Sequence, residues 1–281
     1  MLNRILLALL VIIILVPMLY IVIASFMNPT TLLNQGISFN PKDWSVEGYK
    51  RLFQDNSIFR GFLNSVLYSF GFGILSVFVT MLAAYPLSIP DLMFKKTINI
   101  FFLITMFFGG GLIPTYLLIK DLGMIDTPWA LILPGALSYF NVILARIYIE
   151  TLPAGLIEAA KIDGANDIQI FFKIILPLCK PIMFVLFLYG FVGMWNGYFD
   201  AMIYIKNPNL EPLQIVLRKI LVQNQPSMNM IGAQATTAEL KRIAELIKYS
   251  TIVISSLPLI VMYPFFQKYF EKGITLGSVK E

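Results

Sequence analysis

Histidine is absent from this 281-residue chain, and cysteine appears once, at Cys179. The chain therefore has no imidazole base, no internal disulfide and no thiolate or imidazole metal set. Cys179 reads as a small apolar packing residue. Charge is scarce too: 13% of residues are Asp, Glu, Lys or Arg, about half the share in soluble domains. No glycine is followed by lysine anywhere, so the phosphate-cradling loop that ends in Gly-Lys-Ser/Thr is missing. Any ATP hydrolysis belongs to another polypeptide. The formal charge of +5 reads as contact with anionic lipid headgroups and needs no nucleic acid partner.

Hydrophobic residues make up 58% of the chain and gather in uncharged runs near the ~20 residues that cross a bilayer as helix. The expected fold is an all-α integral membrane protein of six transmembrane helices, one domain over 1–281. The expected spans are 5–26, 62–84, 97–119, 128–145, 182–199 and 249–267. The first is too long for a signal-peptide core and has no small-residue cleavage site after it, so it is expected to be retained. The second is expected to stop at Tyr85-Pro86, and the third to be interrupted at Gly109-Gly110-Gly111 and Pro114. Segments 28–56 and 201–248 read as external, and 268–281 as a tail. Lysines and arginines divide almost evenly between the two sides. The positive-inside rule concerns short loops, however, and most of the opposing set sits in the two long segments. Both termini are therefore expected in the cytoplasm.

The polar island in this apolar chain is the loop 150–181. Pro153 suits the opening turn of a short helix up to Ile162, and Gly164 suits its left-handed end. Asn166 or Asp167 can cap a second helix, on which Ile168, Phe171, Phe172 and Ile175 fall at i, i+3, i+4, i+7 and so share a face. Pro177 ends or kinks it. Two short helices at a rigid elbow between spans make a part that passes force sideways.

Glu158-Ala159-Ala160, three residues, Gly164, nine residues, Ile174, one residue and Leu176-Pro177 form a pattern matched here without a gap. It resembles the signature of the permease subunits of binding-protein-dependent ABC importers. Asp163 before the glycine and Pro181 after Leu-Pro resemble the maltose-type carbohydrate branch, as does 113–127, from Ile113-Pro114-Thr115-Tyr116 to Asp126-Thr127. The resemblance implies that the loop docks in a cleft of the ATPase subunit, with Glu158 pairing with an arginine there. On the same ground Asp163, Phe171 and Phe172 belong to the coupling set. The ending Gly273-Ile274-Thr275-Leu276-Gly277-Ser278-Val279-Lys280 resembles a family tail that runs along the ATPase interface, which assigns Gly273, Thr275, Gly277 and Lys280 to it.

Trp195, Asn196, Tyr198 and Asp200 lie together at the end of the fifth span. Aromatic faces beside amide and carboxylate groups suit a sugar path; the same aromatics also suit interfacial anchoring. Gly110 and Gly111 either unwind the third span beside a polar path or allow close helix packing. An ion-coupled secondary transporter is the alternative, but the six expected spans carry no ionisable side chain.

What the resemblance implies is one of two homologous permeases, each distinct, working with two ATPase subunits that hold ATP and Mg and with an extracellular solute-binding protein. The assembly would sit in a bacterial plasma membrane, import a sugar or oligosaccharide by alternating access, and be non-hydrolytic on this chain. Segment 207–246 departs from maltose permeases, and the long soluble loops are similar to permeases for complex, often acidic, oligosaccharides. In such permeases the stretch equivalent to 222–240 enters the binding protein.

Overall fold

The structure is a computed structural model, and it describes residues 2–221, 244, 247–264 and 267. In chain order the helices are α1 (Leu2–Ser25), α2 (Pro29–Gln35), α3 (Glu47–Gln54), α4 (Asn56–Ser88), α5 (Lys95–Phe107), α6 (Leu112–Asp121), α7 (Trp129–Ile132) and α8 (Tyr139–Glu150). They continue with α9 (Ala154–Ile162), α10 (Asp167–Ile170), a π turn (Phe171–Ile175), α11 (Leu176–Leu178), α12 (Lys180–Asn196), α13 (Phe199–Tyr204) and α14 (Leu213–Leu221). Last comes α15 (Ile247–Pro264). Among the described residues there is no strand, only an isolated bridge between Met27 and Trp44.

Among the described residues three helices, α1, α4 and α15, are long and apolar enough to cross a membrane, and bent helix pairs raise the number to as many as six. The all-α, multi-span fold expected from the apolar runs is what forms.

Several boundaries differ from the expected ones. α4 does not stop at Tyr85-Pro86. Pro86 removes one intrahelical donor, yet the helix runs on to Ser88, whose hydroxyl donates to Tyr85 O at 2.6 Å. The fourth span is not one helix over 128–145. A four-residue α7 and a turn precede α8, and α8 carries Arg146 and Glu150 within it. An ionisable guanidinium thus does lie on one of the apolar helices. The third span breaks into α5 and α6 with a 109° bend.

The chain divides into two compact units, Met1–Asn64 with Asn207–Val261, and Ser65–Lys206 with Met262–Glu281. In the first, Ala24, Met27 and Leu32 form a small buried cluster with Tyr249 against it. Asp55 precedes α4, is itself buried, and accepts from Ser57 N at 2.7 Å, the satisfaction of a helix-start donor that a buried carboxylate needs. α14 turns Leu213, Val216, Leu217 and Ile220 inward, the i, i+3, i+4, i+7 stripe of an amphipathic helix.

The second unit has one extended core. α4 contributes Val77, Met81, Ala84 and Tyr85, and α8 contributes Tyr139, Val142, Ala145 and Ile149, both at helical spacing. Ile170, Phe171, Ile175, Cys179 and Leu186 complete it. Five of the fourteen buried residues of this core therefore come from the loop 150–181 and what directly follows it, which anchors that loop to α4 and α8. Cys179 is fully buried and free, the packing role its lone occurrence suggested.

Candidate functional site

The loop 150–181 folds as a helical hairpin, and its turn is built from local chemistry. Pro153 lies just ahead of α9, in an extended conformation, and its carbonyl accepts from Leu156 N at 3.1 Å. It thus precedes the first helical residue instead of occupying it. At the other end Gly164 has φ +83°. Gly164 N donates to Lys161 O at 3.1 Å and Ala165 N to Ala160 O at 3.0 Å, the two bonds of a Schellman motif that satisfy the last carbonyls of α9. The same pair of bonds, with Gly123 at φ +68°, ends α6 at Lys120 and Ile119.

Asn166, not Asp167, caps the second helix. Its side chain accepts from Gln169 N at 2.8 Å while Gln169 Oε1 accepts from Asn166 N at 3.0 Å, a reciprocal capping box. Downstream the helix winds through a π turn, in which Leu176 N donates to Phe171 O. Pro177 has no N–H with which to close an α turn on the carbonyl four residues back. Asp167–Leu178 then meets α12 at a 77° bend.

The π turn changes which residues face inward. Ile168 and Phe172, expected beside Phe171 and Ile175, are 70% and 50% exposed, whereas Ile170 is fully buried. A five-residue turn advances the buried stripe from Ile170 to Ile175 and then to Cys179, which a strict 3.6 period does not.

The hairpin has two faces. Ile157, Ala160, Ala165 and Leu176 pack on the core. Glu158, Ala159, Asp163, Gly164 and Pro177 are exposed. Among them lie Ile162, 86% exposed, and Ile168. This is an apolar ridge at the elbow flanked by Glu158, Lys161, Asp163 and Asp167, the composition of a surface that meets another protein.

The second candidate site is dispersed. Trp195 is 1% exposed and stacks on Phe191 at 6.0 Å, so its ring face belongs to packing. Asn196, Tyr198 and Asp200 are exposed around the end of α12. Tyr204 is buried and stacks on Tyr116 at 6.1 Å. Burial first, and then the Asp200 charge, push its phenol above the ordinary tyrosine value. Asp126 holds this end to the turn after α6: its N donates to Tyr204 O at 2.8 Å and its carboxylate accepts from Lys206 N at 2.9 Å.

Gly109, Gly110 and Gly111 do unwind the third span. Gly111 has φ +82°, open to glycine and strained for other residues. A Cβ at Gly109 or Gly111 would meet nothing within 4 Å, and one at Gly110 would touch only Pro114. No helix of the described chain packs against these glycines.

Two features escaped the sequence reading. Tyr189, Gly193 and Asn196 fall at i, i+4, i+7 on α12 and are all exposed, a face blurred by the uniformly apolar run around it. Asn99 accepts from both Tyr139 and Arg146; a lone amide in the run 97–119 was the available signal. The tail residues Gly273, Thr275, Gly277 and Lys280, and the external stretch 222–240, lie outside the described residues. Among the described residues no cluster of three or more Cys, Asp or Glu side chains is arranged to hold a metal ion.

Residues 69–276 match the sequence profile of the binding-protein-dependent transport system inner membrane component. A polygalacturonan/rhamnogalacturonan transport system permease protein of Bacillus subtilis (strain 168) is 36% identical over 267 residues, covering 94% of this chain and 92% of its own. An arabinooligosaccharides transport system permease protein of the same organism is 28% identical over 269 residues, covering 94% and 90%. The crystal structure of a bacterial ABC transporter involved in the import of the acidic polysaccharide alginate includes a chain that superposes with a TM-score of 0.85 at 30% identity. The match covers 96% of this chain and 95% of that one.

Proposed function

The chain belongs to the inner membrane components of binding-protein-dependent transport systems, and from that premise we propose that it is one of two permeases of an ATP-driven importer for an acidic oligosaccharide. The observation that carries the coupling part is the elbow ridge of Ile162 and Ile168 among exposed charges, held rigid by the Schellman turn and the capping box. A surface left apolar and water-facing on an ordered hairpin suits a cleft in a partner ATPase, where ATP and Mg would be bound. Because the hairpin's inner face is part of the core shared by α4, α8 and α12, displacing it displaces those helices. That is the lever alternating access requires.

In this reading the hairpin and both termini are cytoplasmic, and a solute-binding protein delivers the sugar on the opposite side. Glu158, at the edge of the ridge, pairs with an ATPase cation. The tail residues Gly273 to Lys280 run along the ATPase pair. Asn196, Tyr198 and Asp200, with Tyr189 on the same open face of α12, line the sugar's way beside the unwound Gly110-Gly111. An ion gradient is not needed as the energy source.

The acidic substrate class is supported by relatives whose substrates carry uronic acids: the polygalacturonan permease and the alginate importer. Uptake by the assembled transporter in vesicles, measured over oligogalacturonates and neutral maltodextrins of equal length, is the test. Uptake of the charged oligomers is expected; uptake of the neutral ones alone overturns the substrate assignment.

A further inference from the structure

Lys180 opens α12 directly after the 77° bend. Lys180, Met183, Phe184 and Phe187 fall at i, i+3, i+4, i+7 and line one face. Val77 and Phe78 line the facing wall on α4. The two helices approach closely where side chains vanish. A Cβ at Gly190 would lie 3.5 Å from Gly73 Cα, and one at Gly73 would lie 2.8 Å from the Phe187 ring. Toward the hairpin end no glycine brings the backbones together, and the large side chains leave a groove of about 530 Å³.

We infer that this groove holds one acyl chain of an anionic phospholipid, with the lipid phosphate against Lys180. Its walls are apolar and Phe78 is 44% exposed, so the cleft opens sideways to its surroundings. From Lys180 to Phe187 the groove runs roughly 10 Å at the helical rise, and part of a flexible hydrocarbon chain fits it. The one charged group in the lining is a cation at the end, and Lys180 makes no ion pair among the described residues. An apolar trough that ends in a cation matches a lipid whose tail is apolar and whose head is an anion.

This goes beyond the transport reading, and its readout is lipid retention, which does not depend on what the transporter carries. The assembled transporter is incubated in vesicles of phosphatidylcholine with phosphatidylglycerol, stripped with mild detergent, and its retained lipid is counted by mass spectrometry. The expected result is one retained phosphatidylglycerol that falls about tenfold or more in Lys180→Glu and persists in Lys180→Arg. Met183→Trp, which fills the groove and leaves the charge, removes it as well. Retention unchanged in both Lys180→Glu and Met183→Trp overturns the inference. So does equal retention of phosphatidylcholine, or efficient cross-linking of Phe78→Cys to the second permease, which would assign the groove to that chain.

Discussion

Arg146 Nη1 and Tyr139 Oη both donate to Asn99 Oδ1, at 3.1 and 2.7 Å, so that a single amide oxygen ties α5 to α8. Asn99 Nδ2 in turn donates to Lys95 O at 2.8 Å, which fixes the amide's orientation. Tyr139 stacks on Phe102 at 5.4 Å, and Arg146 Nε is buried 3.5 Å from Glu150. α8 leads into the hairpin of α9 and α10 and α5 into the 109° bend, so this node links the two.

Replacing Asn99 by Leu leaves the half-buried guanidinium and the Tyr139 hydroxyl without their acceptor, at a cost of about 1–3 kcal/mol. Asn99→Asp supplies a charged acceptor and restores the tie. A lowered thermal midpoint for Asn99→Leu and a preserved one for Asn99→Asp, measured on the purified transporter, are expected. Equal midpoints for Asn99→Leu and the parent chain would show that the node contributes nothing.

Gly164 sits at φ +83° with open space where a Cβ would project. The penalty of Gly164→Ala is therefore conformational rather than steric, roughly 1–2 kcal/mol. Gly164→Asn is expected to be milder, because asparagine tolerates the left-handed region. Protease sensitivity of the hairpin should rise in the order parent, Asn, Ala. An Ala variant as resistant as the parent would remove the argument for a rigid elbow.

Phe171 and Phe172 are neighbours in sequence with opposite fates. Phe171 is buried against Tyr85, ring centroids 5.6 Å apart, and Phe171→Ala should destabilise the unit by ~3–5 kcal/mol. Phe172→Ala should leave the midpoint nearly unchanged and instead reduce the stimulation of ATPase activity by loaded binding protein. If Phe172→Ala unfolds the chain while Phe171→Ala does not, the inward and outward faces have been assigned backwards.

Glu158 lies exposed beside the ridge. In a pair that is desolvated on docking, truncation costs far more than in an exposed pair. Transport is expected to fall at least about tenfold in Glu158→Ala, and further in Glu158→Lys, at normal membrane levels of the protein. An acidic replacement of the partner cation should recover part of the loss in Glu158→Lys. Full uptake by Glu158→Lys alone would leave Ile162 and Ile168 as the coupling contacts.

Much of this was legible before any coordinates. Long uncharged runs announce spans, because a backbone in lipid has to bond to itself. Gly164 and Asn166 announce the elbow, because few residue types satisfy those backbone positions. What could not be read depends on neighbours distant in sequence. The π turn swaps Phe172 and Ile170 between faces, and nothing in a 3.6-residue period anticipates that. Trp195 stacks on Phe191, one turn earlier, a packing contact that aromatic composition at a span end does not specify. Arg146 looked like loop because charge reads as exposure, whereas Asn99, 47 residues away, gives it a half-buried place. Pro86 looked like a stop, yet a proline close to a helix end costs only one bond.

A π turn inside an α-helix is the trace of one extra residue. Wound as ordinary helix with every residue kept, that stretch would carry Cys179 about 100° around the axis, off the core it now fills; the wider turn absorbs the extra residue and holds the buried stripe in line. The sidedness of everything from Leu176 onward is thus set by how Phe171–Ile175 wind.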